Sequence, residues 1–184
     1  MSDENVDNHF EELLAEFAVR QEEMKQKRMQ LISLVCKVLR ENKIASVIVS
    51  YDGSGDEGNT NEPVAFGQEV DVTTFRQTPV DGDLTDLLNE LAIPDELRVF
   101  EESVGYFSQY VRSVGEGLCT LLSDFVPDGY ENNEGGTGCV VLNAVTGLVE
   151  VEHGAYVTEV YWHTRKVNAQ GDIEIIRDKK EIES

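Results

Sequence analysis

Apolar residues along the chain keep two rhythms, and the change from one to the other outlines the fold. Near the start, Phe10, Leu13, Leu14, Phe17, Met24, Leu31, Leu34, Val35, Val38 and Leu39 recur close to the i, i+3, i+4, i+7 spacing, which predicts a long helix from about His9 to Asn42. Gln21 to Gln30 is almost wholly charged or amide, so the early turns are expected to project while Leu31 to Leu39 packs on the body. The β-branched run Ile44 to Tyr51 predicts a strand that ends at Asp52-Gly53, and a loop-dominated stretch with a short strand in Gln68 to Thr74 follows. Asp83 reads as the N-cap of a helix through Leu84, Leu87, Leu88 and Leu91, and Asp95 after Pro94 opens another turn. The spacing from Val104 to Phe125 predicts a core helix, although Gly115 and Gly117 call for either a helix break or a closely crossing backbone.

Beyond Pro127 the period becomes two. Gly138 to Asn143, Leu148 to Glu152 and Tyr156 to Arg165 read as consecutive antiparallel strands. The fold class is therefore α+β: an antiparallel sheet of about four strands with a long N-terminal helix and a core helix packed on one face. Residues 1–30 form a helical extension, 31–170 a single α+β domain, and 171–184 a C-terminal tail with a short strand before its end frays.

Composition narrows the function classes. The chain has 184 residues and a formal charge of −21, with nineteen acids against three bases in residues 51–135. Such a field opposes phosphate backbones and anionic lipid, so neither direct nucleic-acid binding nor membrane binding is expected. An acidic start, no long apolar stretch and three scattered cysteines (Cys36, Cys119, Cys139) suit a soluble protein of a reducing cytoplasm.

Two segments crowd acids and amides onto glycine backbone: Tyr51-Asp52-Gly53-Ser54-Gly55-Asp56-Glu57-Gly58, and Gly129 to Gly138 with Tyr130, Glu131, Asn132 and Asn133. If the strands they flank are antiparallel neighbours, the loops share one sheet edge, and Asp52, Asp56, Glu131 and Asn132 become candidate ligands for calcium, magnesium or manganese. The spacing does not match an EF-hand: Gly58 falls at position seven counted from Asp52, and Pro63 stands where a bidentate glutamate belongs. Structured turns explain the same residues without a metal. There is no phosphate loop and no nucleophile elbow, and Cys119 and Cys139 read as buried hydrophobes. Tyr51, Tyr130 and Asn133 are candidate binding residues of the two motifs, and Glu159 with His163, four apart on one strand, is a candidate acid–base or ligand pair.

The order of Leu31-Ile32-Ser33-Leu34-Val35, the Tyr51–Gly58 motif, and Tyr130, Glu131, Asn132, Asn133 and Gly135 resembles an uncharacterised bacterial family, the domain of unknown function numbered 6878. The resemblance spans roughly residues 25 to 165 and implies the same α+β fold in a bacterial protein, but no activity. The sequence favours a non-catalytic acidic binding or accessory domain. Its partner would be another protein, reached through the N-terminal helix, or a second copy in a homodimer. A divalent-metal-dependent enzyme using Asp52, Asp56 and Glu131, and an acidic nucleic-acid mimic, stand as alternatives.

Overall fold

Why the chain first forms a helix and then a sheet follows from the same residues. The computed structural model describes residues 4–54, 57–101, 105–131, 135–156 and 160–181, and at 4–13, 101, 160–163 and 174–181 it describes the backbone alone. Helix α1 spans Glu4–Glu41 without a break. Leu31, Ile32, Val35, Cys36, Val38 and Leu39 of its last turns are buried, whereas Leu14 and Phe17 are 52% and 61% exposed. Asn42 Nδ2 donates to Val38 O at 2.9 Å, and Lys43 turns the chain at φ 63°, which closes the helix without a glycine.

Strands β1 (Ser46–Ser54), β2 (Glu57–Thr60), β3 (Val64–Phe66), β4 (Gly136–Asn143), β5 (Leu148–Ala155), β6 (Val160–Val167) and β7 (Ile173–Glu181) form one antiparallel sheet. Its order is β2-β1-β4-β5-β6-β7, and β3 pairs with the early part of β1. The sheet thus has seven strands rather than about four. Two of the additional ones, β2 and β3, lie in the stretch expected to be loop, and the strand expected near Gln68 to Thr74 is absent. The third is β7, nine residues paired with β6, where a short strand in the tail was expected; it runs on to Glu181. The β4–β5 turn is tight because Asn143 Oδ1 accepts from Val145 N and Thr146 N at 2.9 and 3.0 Å while Gly147 takes φ 73°.

On one face the sheet packs against α1 and three shorter helices: α2 (Gly82–Glu90), α3 (Asp95–Glu101) and α4 (Val114–Ser123). Asp81, not Asp83, caps α2 by accepting from Leu84 N. The core helix is also shorter than the apolar spacing implies: α4 begins at Val114, where Ser113 accepts from Glu116 N, and Gly105 upstream takes φ 87°. The two glycines explain the late start. A Cβ at Gly117 would meet the Phe107 ring, and one at Gly115 would meet Asn89 Oδ1 and, at 3.1 Å, Leu88 O. The segment before α4 therefore folds back over it, and α2 crosses it closely, so Phe107 is buried against the helix it was expected to join.

Candidate functional site

The register of β1 fixes which residues can meet. Tyr51 pairs with Thr60 on β2 and Gly138 on β4, and Gly138 pairs in turn with His153 on β5 and His153 with His163 on β6. Two residues on, the next row of the same face reads Gly58, Gly53, Gly136, Ala155. Alternation puts Val47, Val49, Tyr51 and Gly53 on the helix-covered face, and Asp52 on the other. The glycines that looked like flexible loop are therefore rungs of the ladder, three abreast, and they leave a floor without side chains at one end of the sheet.

Three rings use that floor. Tyr130 lies across Gly53 and Gly58: a Cβ at Gly53 would stand 3.0 Å from Tyr130 Cδ2, and one at Gly58 2.7 Å from Tyr130 Oη. His153 stands over Gly136, where a Cβ would come 2.7 Å from its Cε1. Tyr51, almost fully buried, fills the space over Gly138, stacks on His153 at 5.9 Å between centroids, and meets Tyr130 edge-on at 5.1 Å. Gly135 adds a tight crossing, because it takes φ 85° directly beside Gly53 O.

Tyr51 Oη lies 3.2 Å from Glu152 O and 2.9 Å from His153 Nδ1. A carbonyl only accepts, so a His153 proton on Nδ1 lets the hydroxyl donate to Glu152 and accept from the imidazole at once. Burial raises the Tyr51 pKa far above the ordinary phenol value, so the hydroxyl keeps its proton. The pair is a fixed donor–acceptor relay rather than a nucleophile. Cys36 and Cys139 offer none either: burial pushes their thiols up to about 11 and about 12.

Asp52 belongs to a different surface. Its Oδ1 accepts from Tyr156 Oη at 2.8 Å, a bond that raises the Tyr156 pKa, and Thr137 Oγ1 beside it donates to Tyr51 O at 3.1 Å. The two glycine-acid loops do meet, as Glu131 Cα over Gly53 shows, but Asp52 and Gly53 point to opposite faces. Asp56, Asn132, Asn133 and Glu159 lie outside the described residues, and His163 is placed only by its backbone in β6. Among the described residues no group of three or more His, Cys, Asp or Glu could hold a metal ion. His153 and Tyr156 are the residues that sequence reasoning missed; the signal was their register opposite Gly138 and beside Asp52, which requires knowing the β4–β5 turn.

A second feature lies where α1 leaves the sheet. A groove of about 790 Å³ runs between α1, the segment after α4 and the outer strands, lined in part by Lys25, Arg28, Met29, Phe125, Val151 and Arg165. Arg28 pairs with Asp124 at 2.9 Å and lies over the Phe125 ring, yet its Nε is buried without a partner. No helix among the described residues is long and apolar enough to cross a membrane. No family model matches the chain, and neither a curated protein nor a solved structure does, so the resemblance to family 6878 stands on the quoted motifs alone.

Proposed function

We propose that the chain is a non-catalytic binding domain whose partner is a protein, engaged by the first half of α1. One observation carries this reading: the face of α1 that is fully buried at Leu31, Val35 and Leu39 continues toward the N-terminus through Leu14 and Phe17, which are exposed. A helix normally keeps its apolar stripe where there is something to bury it against, because isolated helical turns gain little stability of their own. The cluster of Tyr51, Tyr130 and His153 supports the reading by what it does: it fastens the Tyr130 segment to the glycine end of the sheet, and burial there keeps the Tyr51 phenol protonated.

The test is a photo-crosslinking residue at position 17 in the cell of origin, with position 110 as control, since Tyr110 is a still more exposed aromatic outside α1. A discrete protein adduct from position 17, lost on Leu14→Asp and not seen from position 110, is the expected result. Identical adduct patterns from both positions, or none from position 17, would remove the basis for the proposal.

A further inference from the structure

The groove and the bare half of α1 are complementary, which names the partner. Residues 4–24 of the helix hold seven acids and one base, and residues 25–41 hold five bases and one acid. The groove faces the junction. Its lining carries Lys25, Arg28 and Arg165 together with Glu22, Asp124 and Asp128 around the apolar Met29, Phe125 and Val151; Lys25 pairs with Asp172 and Arg28 with Asp124, whereas among the described residues no carboxylate pairs with Arg165. An occupant should therefore be apolar along one stripe and bring an acid within reach of Arg165. The first half of α1 has that composition, but its own copy cannot reach, since α1 is one unbroken helix whose residues 18–29 wall the groove.

We infer that the occupant is a second copy of this chain, its α1 lying antiparallel against the first. The inference rests on the protein-binding reading above and specifies its partner. A pairing centred near Val19 sets Leu14 opposite Met24 and Glu11 opposite Lys27, and two-fold symmetry makes each contact twice. The acidic half of each helix then runs beside the basic segment 25–28 of the other, covering Leu14 and Phe17 of both. A parallel pair would set seven acids against seven and is disfavoured.

Sedimentation velocity on the full chain tests this. A dimer is expected, with its dissociation constant rising at least about tenfold as salt goes from roughly 50 to 500 mM, because Lys25 and Lys27 remain partly open to solvent and are screened by the salt. Two charge-reversed chains make the orientation decisive: Glu11→Lys with Glu12→Lys in one, Lys25→Glu with Lys27→Glu in the other. Lys25 and Lys27 lie outside the core, and unchanged circular dichroism and melting temperature verify the fold of each variant. Each variant alone is expected to be monomeric, and an equimolar mixture to restore the dimer. Variants that dimerise alone, or a mixture that stays monomeric, would overturn the antiparallel pairing. A wild-type monomer at all concentrations whose position 17 crosslinks to a different protein overturns self-pairing and leaves the broader reading standing. A monomer with no crosslink overturns both.

Discussion

On the face covered by helices, β1, β4 and β5 present Val47, Val49, Val140, Leu142, Val149 and Val151 to the main core, and at its far end the glycine floor takes three rings. On the other face the same strands present Ile48, Cys139 and Val141 to a small cluster with Phe66, Val70 and Val72, and then two buried glutamates. Glu150 Oε1 meets Lys166 Nζ at 2.7 Å and its Oε2 accepts from Val72 N, while Glu152 lies 3.9 Å from Arg76. One face is thus specified by shape and the other by charge. Shape tolerates no added atom where backbones touch, whereas a charge pair tolerates joint replacement, because its attraction is largely offset by the desolvation of both members.

The sharpest way to break this contrast is Gly138→Ala. Its Cβ would collide with Glu152 O and with Tyr51 Oη, and the first is ladder backbone that cannot swing away. Denaturant unfolding should show a loss above about 3 kcal/mol, or no folded protein. Next comes Lys166→Met, which leaves the buried Glu150 carboxylate without its nearest cation and should cost about 1–3 kcal/mol. Adding Glu150→Met should recover most of that loss; if the double variant is worse than the single one, the charged face is not replaceable in this sense.

Tyr51→Phe keeps the ring and removes only the hydroxyl shared between Glu152 O and His153 Nδ1, so about 1 kcal/mol is expected. A loss several times larger would mean that the relay, not the stacking, organises the glycine end. The smallest effect concerns Asp71, in the segment over the charged face. Burial pushes its carboxyl up, but hydrogen bonds from Thr73 and Thr74 outweigh this and hold it below the usual carboxylate value. A depressed folded pKa gives stability that is present above the unfolded value and lost as pH falls through the folded one. Wild type should therefore lose more stability than Asp71→Ala when urea midpoints at neutral pH and near pH 3 are compared, about a unit below the ordinary carboxylate range. Equal losses would remove Asp71 from the acid response.

These contrasts also show what could be read from sequence. α1, β1 and the β4–β5–β6 succession follow from local periodicity, because each buries a face whose spacing is intact in the chain. The helix before Phe125 was overextended because Phe107 and Tyr110 keep helical spacing with α4 while Phe107 reaches the core from a returning loop. Local spacing cannot distinguish those routes. β2 was missed because Glu57-Gly58-Asn59-Thr60 has turn composition, and only pairing with β1 makes it a strand. At the site, Tyr51 and Tyr130 were legible as members of two motifs that meet. That Asp52 faces away from Gly53 and the Glu131 backbone was not, since a one-residue step along β1 changes the face.

The two outermost strands bear on how the protein resists aggregation. A seven-stranded antiparallel sheet ends in two rows of unpaired backbone groups, the usual template for runaway strand addition. At one border β1 is flanked by two short strands, β2 of four residues with a glutamate and a glycine, and β3 of three. At the other, β7 carries Arg177, Asp178, Lys179 and Lys180 in succession, so a strand docking there would bring like charges into register with its own copy. Neither border is a good seed for fibrils, and removing the charge run from β7 is the change that would make one.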